Sequence, residues 1–182
     1  MDVPASAFGP GSRRHFAHYF EGESGVPVTS IDDIVLWLGT CEYESDIIQF
    51  HERDVWQQPC AFEQLKRGDC EDFALWAWRK LTEIGLEAEF YVGRVVCDDE
   101  TATDRYHAWI VYRAGGELFL FEPAARERRC MIRPLFDVED DYVPHFAVNA
   151  RFETCAFVGC ILDAHRDKLR SRLPIGIVAE IS

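Results

Sequence analysis

The segment from Asp69 to Gly85 constrains the fold of this chain most, because it predicts one amphipathic helix with a clear start and a clear end. Asp69 is suited to cap the helix, and Asp72 is placed to reach back as the acid of a capping box. The apolar residues recur at helical spacing and are Phe73, Trp76, Ala77 and Leu81. Gly85 then ends the helix, since glycine readily adopts the left-handed conformation that follows a last turn.

The hydrophobic period changes after Gly85, from that of a helix to that of strands. The β-rich runs cover residues 87–96, 106–112 and 117–121, with Ala114-Gly115-Gly116 as a tight turn before the third, and a later run covers 153–162. Helices are predicted upstream at about 30–41, 44–56 and 61–66, and a short charged helix near 164–172. Helices followed by an antiparallel sheet predict an α+β fold.

The chain of 182 residues is long enough for one domain with a substantial core. Residues 1–29 are rich in Gly, Pro and Ser, so we predict a flexible N-terminal arm there. Residues 30–182 then form the single domain, which begins with Ser30 as the N-cap of its first helix.

Composition excludes several classes of function. A formal net charge of −13 disfavours binding to nucleic acid or to an anionic membrane, although the run from Arg126 to Arg129 with Arg133 forms either a small anion-facing patch or a solvated segment. No apolar run approaches the roughly 20 residues that span a bilayer. The N-terminal residues have no secretory h-region, so we expect a cytoplasmic location. Seven cysteines without a CxxC pair predict reduced thiols and disfavour zinc.

Three residues fall in an order that suits thiol chemistry. Cys70 opens a helix, His107 lies early in a strand, and Glu122 ends the next strand of the same hairpin. A thiol nucleophile needs a base within hydrogen-bond reach, and the base needs a third group to orient its ring. With the turn near residues 114–116, position 107 is predicted to lie opposite 122 or 123, so Glu122 is the expected orienting group, with Asn149 and Asp104 as alternatives.

These blocks carry a resemblance to a known superfamily. Gly68-Asp69-Cys70-Glu71-Asp72, then His107-Ala108-Trp109, then Phe121-Glu122-Pro123 resemble the transglutaminase-like superfamily, and within it the bacterial transglutaminase-like cysteine proteinases. The resemblance covers about residues 45–125. It implies a papain-like core with helices packed on an antiparallel sheet, Cys70 as nucleophile and His107 as base. The third residue of the family is usually Asp, whereas Glu122 occupies that position here.

Two further features of the site stay open at the level of sequence. Oxyanion donors are the Cys70 backbone N–H, Gln64, which precedes Cys70 at the papain-type spacing, and Trp56, whose alternative role is packing. The acids Asp69, Glu71 and Asp72 suit helix capping, while similar adhesin-cleaving proteinases use acids of this block for calcium. Because consecutive acids at a helix start rarely converge alone, we favour capping and expect no cofactor.

The expected function is therefore hydrolysis of a peptide or side-chain amide bond through an acyl-enzyme on Cys70, with a protein or peptide as substrate. Two alternatives remain. The same acyl-enzyme supports transamidation or deamidation of glutamine, and a catalytically silent domain of this type would bind a protein partner.

Overall fold

The computed structural model describes residues 3–96 and 105–157 of the chain. The predicted charged helix near 164–172 and the end of the run 153–162 lie outside these residues. Its helices are α1 (Ile31–Leu38), α2 (Asp46–Gln49), α3 (Pro59–Leu65), α4 (Cys70–Glu83) and α5 (Arg128–Met131), with 3₁₀ turns at Ala5–Ala7, Phe16–Phe20 and Leu135–Asp137. Its strands are β1 (Glu42–Tyr43), β2 (Arg67–Gly68), β3 (Glu87–Val95), β4 (Arg105–Ala114), β5 (Glu117–Phe121), β6 (Ile132–Pro134), β7 (Tyr142–Asn149) and β8 (Thr154–Ala156).

The strands form a six-stranded antiparallel sheet with the order β6-β5-β4-β3-β7-β8. The two short strands β1 and β2 pair in parallel beside the start of α4. Helix α4 packs on one face of the sheet, so that its middle is fully buried against β3 and β4. This is the α+β architecture expected from the sequence, and that prediction is confirmed.

Local signals explain why the central elements begin and end where they do. The Asp72 carboxylate accepts a hydrogen bond from the backbone N–H of Asp69 (3.3 Å) and so holds the first turn of α4. Gly85 has φ +83° just past the helix, as its position predicts. Gly115 and Gly116 both have positive φ (59° and 86°) and form the two-residue turn between β4 and β5.

The prediction of a flexible N-terminal arm differs from the structure. Phe8, Phe16 and Tyr19 are buried in the main core, which also contains α4 and the inner face of the sheet. Val3 exchanges backbone hydrogen bonds with the Thr154 hydroxyl on β8, which ties the segment to the far edge of the sheet. The Gly, Pro and Ser content of this segment reflects irregular backbone, and its aromatic residues supply the packing.

The predicted helix over 44–56 is also wrong. Only α2 forms, and its apolar residues Ile47 and Ile48 are exposed. His51 adopts a left-handed conformation with φ 58°, which ends the helical path. The buried Asp46 carboxylate then accepts the Val55 N–H (2.5 Å) and holds a turn in place of further helix.

No helix within residues 3–96 and 105–157 has the length and apolar composition needed to cross a bilayer.

Candidate active site

A cleft of about 560 Å³ lies where the start of α4 meets the ends of β4 and β5. Cys70, His107 and Glu122 all line it, so the structure brings together the three residues that the sequence selected. The other lining residues are Tyr43, Val95, Tyr106, Ala124, Ala125, Arg126 and Tyr142. Their side chains make the walls of the cleft largely aromatic and aliphatic.

His107 and Glu122 form a short hydrogen bond between His107 Nε2 and Glu122 Oε2 (2.7 Å). Both side chains are largely buried, with exposed fractions of 20% and 12%. Since a carboxylate accepts, the proton of a neutral imidazole belongs on Nε2, which leaves the lone pair on Nδ1 as the basic position. This is the tautomer that a base for a thiol requires when its other nitrogen is held by an acid.

The strand register shows how the Glu122 side chain reaches His107. Pairing between β4 and β5 ends at Ile110 and Phe121, which places Glu122 opposite Trp109 rather than opposite His107. The two residues are therefore diagonal neighbours on the same face, a longer separation than that of a facing pair. The length of the Glu122 side chain spans this distance, so the contact forms although the predicted partner of 107, residue 122 or 123, was off by one or two residues.

Tyr142 on β7 completes this network and was missed by the sequence analysis. Its hydroxyl donates to Glu122 Oε2 (3.2 Å) and accepts from Arg133 Nη2 (2.9 Å). Trp109 lies beneath, packed against Tyr142 with ring centroids 5.1 Å apart and against the His107 ring at 6.4 Å. No local signal pointed to Tyr142, because β7 itself was not predicted and the contact joins residues 20 positions apart.

Asn149, an alternative orienting group, binds Glu153 instead (2.7 Å), and Asp104 lies outside the described residues.

Cys70 is the first residue of α4 and its thiol donates to Glu71 Oε2 (3.2 Å). No hydrogen bond joins Cys70 to His107 in the described part of the chain, as is common in enzymes without bound substrate. Burial raises the pKa of the Cys70 thiol well above its usual value, and the negative charges of Glu71 and Asp69 raise it further. The Ala108 N–H opposes this effect by hydrogen bonding to the sulfur.

Neither side chain proposed as an oxyanion donor reaches the cleft. Gln64 lies on the exposed side of α3, because Phe62 occupies the face of that helix that packs on the core. Trp56 packs against Phe16, Tyr19 and Phe90, and its indole N–H donates to Asp54 Oδ1 (2.8 Å). These two predictions are corrected, whereas the backbone N–H of Cys70 remains in place at the start of α4.

The arginines near residue 126 have different surroundings: two form ion pairs and one lines the cleft. Arg128 pairs with Asp32 (2.5 Å) and Arg129 with Glu127 (2.6 Å), while Arg126 lines the cleft. No continuous anion-binding patch forms there within the described residues.

Five carboxylates converge beside Cys70, which the sequence analysis only partly anticipated. Candidate ligand atoms lie within 4.8 Å of one another in the groups Asp46, Asp54, Glu71 and Asp46, Asp69, Asp72. Burial raises the pKa of Asp46 to about 6, and burial also raises the pKa of Asp69, Glu71 and Asp72. Asp46 Oδ1 and Asp69 Oδ1 are buried without a hydrogen-bond partner in the part of the chain that the structure describes. Buried, mutually repelling oxygens with open lone pairs fit a hard cation.

Asp72 has a different role from its neighbours. Its carboxylate accepts from the Gln57 backbone N–H (2.8 Å) and from Gln57 Nε2 (2.5 Å), in addition to the Asp69 N–H. Gly68 makes this packing feasible, since a Cβ there would lie 2.3 Å from Asp72 Oδ2. Of the predicted calcium candidates, Asp69 and Glu71 thus remain open, and Asp46 joins them with its unpartnered Oδ1. Asp54 also lies within 4.8 Å of Asp46 and Glu71, although its two oxygens accept from the Gly11 N–H and from Trp56 Nε1. No sequence signal could have found Asp46, which is 23 positions before Asp69.

Together, a helix that begins with a cysteine and an antiparallel sheet that carries a histidine–carboxylate pair define a transglutaminase-like fold. Solved structures with this fold include those of Legionella pneumophila LapG. One is 19% identical to this chain, covers 86% of it and 84% of LapG, and gives a TM-score of 0.52. An EGTA-treated form is 18% identical over 74% and 70% of the two chains (TM-score 0.50), and a calcium-bound form is 17% identical over 85% and 87% (TM-score 0.49). No protein-family model and no curated protein matches the sequence.

The expectation that no cofactor is involved is wrong. A LapG structure of the same fold is of an EGTA-treated form, and this chain gathers five carboxylates where capping alone was favoured. The physical reason for the error is that Asp46 and Asp54 come from a segment that was predicted as continuous helix. A straight helix would have kept them away from α4.

Proposed function

We propose that this protein is a transglutaminase-like cysteine hydrolase that cleaves a peptide or side-chain amide bond through an acyl-enzyme on Cys70. The observation that carries the proposal is the 2.7 Å contact of His107 with Glu122 in the same cleft as Cys70. A histidine held by a carboxylate, with its free nitrogen available, is a group that accepts a proton from a neighbouring thiol. The cleft is open to solvent, so water is the default second nucleophile.

The reaction follows from the positions of these groups. His107 takes the thiol proton as Cys70 Sγ attacks the carbonyl carbon, and Glu122 stabilises the imidazolium that forms. The imidazolium then gives its proton to the leaving amine, and the acyl group stays on sulfur. His107 next takes a proton from water, which attacks the thioester carbon; the C–S bond then breaks, the acid is released, and the imidazolium returns its proton to the Cys70 sulfur. Attack by an amine would give transamidation.

We further propose that the acidic cluster of Asp46, Asp54, Asp69 and Glu71 holds Ca²⁺. The open oxygens of Asp46 and Asp69 are the supporting observation, together with the hard-donor chemistry of carboxylates. A bound Ca²⁺ would offset the mutual repulsion of these carboxylates beside the nucleophile.

Alkylation by iodoacetamide tests the nucleophile, with each cysteine followed by peptide mass spectrometry in millimolar Ca²⁺ at neutral pH. We expect Cys70 to react faster than Cys130, an exposed free thiol in the same chain that serves as an internal standard. His107→Ala should lower the alkylation rate of Cys70 by about 10²-fold and leave the alkylation rate of Cys130 unchanged. Glu122→Gln, which keeps the size of the side chain, should lower the alkylation rate of Cys70 by a smaller factor of about 10.

A silent binding domain is the second candidate, and one observation favours it. The Cys70 thiol is bonded to Glu71 rather than to His107, an arrangement that keeps the thiol protonated. If Cys70 reacts no faster than Cys130 and is indifferent to His107→Ala, the hydrolase proposal fails and the binding domain becomes the better account.

A further inference from the structure

Three tyrosines line the cleft, and their hydroxyl groups differ in what they bind. The Tyr106 hydroxyl donates to the Phe8 carbonyl (3.0 Å), and the Tyr142 hydroxyl donates to Glu122. Within residues 3–96 and 105–157, the Tyr43 hydroxyl has no hydrogen-bond partner. Tyr43 is 45% exposed although it lines the cleft together with Cys70, so its hydroxyl is available to a substrate.

The pairing of β1 with β2 fixes the place of Tyr43. Its register partner is Gly68, two residues before Cys70, and Glu44 N–H donates to the Gly68 carbonyl (2.8 Å) to close the pair. The Tyr43 ring packs on Phe73 of α4, with centroids 6.2 Å apart. The pairing therefore fixes the backbone of Tyr43, and Phe73 supports its ring beside the residue that opens the helix.

The protonation state of the Tyr43 hydroxyl suits a hydrogen-bond donor. Burial is the main cause that raises the pKa of Tyr43, and the neighbouring Cys70, Asp69 and Glu71 raise it further. The hydroxyl thus keeps its proton at neutral pH and acts as a donor only.

An acyl-transfer site on Cys70 needs a second donor besides the Cys70 N–H for the oxygen of the tetrahedral intermediate. Gln64 and Trp56 lie elsewhere, and the other two tyrosine hydroxyls in the cleft are engaged. We propose that the Tyr43 hydroxyl is the side-chain oxyanion donor of this site, an inference that rests on the function proposed above. Tyr43 would then be a catalytic residue that no sequence pattern marks.

The chemistry assigned to Tyr43 is hydrogen bonding without proton transfer. As Cys70 Sγ bonds to the carbonyl carbon, the π electron pair of the carbonyl moves to oxygen, which accepts hydrogen bonds from Tyr43 O–H and Cys70 N–H. When the carbonyl re-forms, the bond to the leaving group breaks and both donors are released unchanged. Alkylation of Cys70 by iodoacetamide is a direct displacement that develops no oxyanion, so it should be indifferent to this hydroxyl.

Tyr43→Phe separates the two reactions in the full-length protein with millimolar Ca²⁺. Acetylation of Cys70 by p-nitrophenyl acetate passes through an oxyanion and needs no acid for its leaving group. We expect the substitution to slow acetylation by about 10- to 100-fold and to change alkylation less than about twofold. The variant should fold normally, because the hydroxyl that it removes makes no bond within the described chain. Tyr106→Phe is the matched control and should leave the ratio of the two rates unchanged.

Two outcomes would overturn the role of Tyr43 while the proposed hydrolase stands. One is an unchanged acetylation rate in Tyr43→Phe. The other is an equal fall in acetylation and alkylation, which would mean that Tyr43 acts on the thiol rather than on the oxyanion. If wild-type Cys70 is neither acetylated nor alkylated faster than Cys130, the proposed function itself fails, and the role of Tyr43 fails with it.

Discussion

The two ends of helix α4 differ in whether their buried charges are compensated by charges of the opposite sign. Near its C-terminal end, Lys80 is buried with its ammonium group 3.0 Å from Glu83 and 3.6 Å from Glu63, and it donates to the Val26 carbonyl (2.8 Å). Arg79 pairs with Glu83 (2.7 Å) and donates to the carbonyls of residues 21 and 22. At the N-terminal end, among the described residues, no Lys or Arg forms an ion pair with the five clustered carboxylates.

This difference separates a structural site from a functional one. At the C-terminal end the chain supplies both signs of charge, and the network fastens the segment at residues 21–26 to the helix. At the other end the described residues supply only anions to the cluster, which is costly unless a cation or protons compensate. The unbalanced end is also the end that carries Cys70.

The largest effect on stability is expected from breaking the balanced end. Lys80→Met leaves the buried Glu63 carboxylate without its cation, while Glu83 keeps only Arg79, and this should lower the free energy of unfolding by about 3–5 kcal/mol. Urea denaturation measures this value. Arg128→Met is the matched control, because its ion pair with Asp32 is exposed and should contribute less than about 1 kcal/mol. Equal losses in the two variants would contradict the structural role of Lys80.

The unbalanced end should respond to calcium instead. Binding to the folded state alone should raise the free energy of unfolding by about 2.7 kcal/mol when Ca²⁺ is present at 100 times its dissociation constant. Asp46→Asn should abolish most of this gain, whereas Arg128→Met should retain it. The absence of heat in titration calorimetry at millimolar Ca²⁺ would remove the calcium site.

Glu89 is a single buried carboxylate with a neutral hydrogen-bond partner, so its effect on the free energy of unfolding should be smaller and should depend on pH. Burial raises its pKa to about 7, although the Tyr91 hydroxyl donates to its Oε2 (2.8 Å) and opposes the shift. A raised carboxyl pKa favours the protonated form in the folded state, so stability should fall as pH rises from the unfolded pKa through about 7. Because the raised carboxyl pKa values beside Cys70 act in the same window, we expect both proteins to lose stability between about pH 5 and pH 8, and the wild type to lose about 2 kcal/mol more than Glu89→Gln. Parallel stability profiles for the two proteins would contradict this assignment.

The parts of the site that sequence could predict are those set by local rules. The caps of α4, the glycine turn between β4 and β5, and hence the meeting of His107 with Glu122, follow from neighbouring residues. Tyr43, Asp46 and Tyr142 come from segments whose placement depends on long-range packing, and no periodic pattern marks them. The fold class was predictable for the same reason, whereas the packed segment before residue 30 was not. The cytoplasmic location and the single-domain boundary stay predictions.

The central claim is that Cys70 transfers acyl groups with His107 as its base. The most direct test is the rate at which p-nitrophenyl acetate acetylates Cys70 in the wild-type protein and in His107→Ala, measured on the Cys70 peptide in millimolar Ca²⁺. We predict rapid acetylation of wild-type Cys70 and a loss of about 10²-fold or more in the variant, with Cys130 equal in both. Equal acetylation of Cys70 in the two proteins, at the rate of Cys130, would contradict the account.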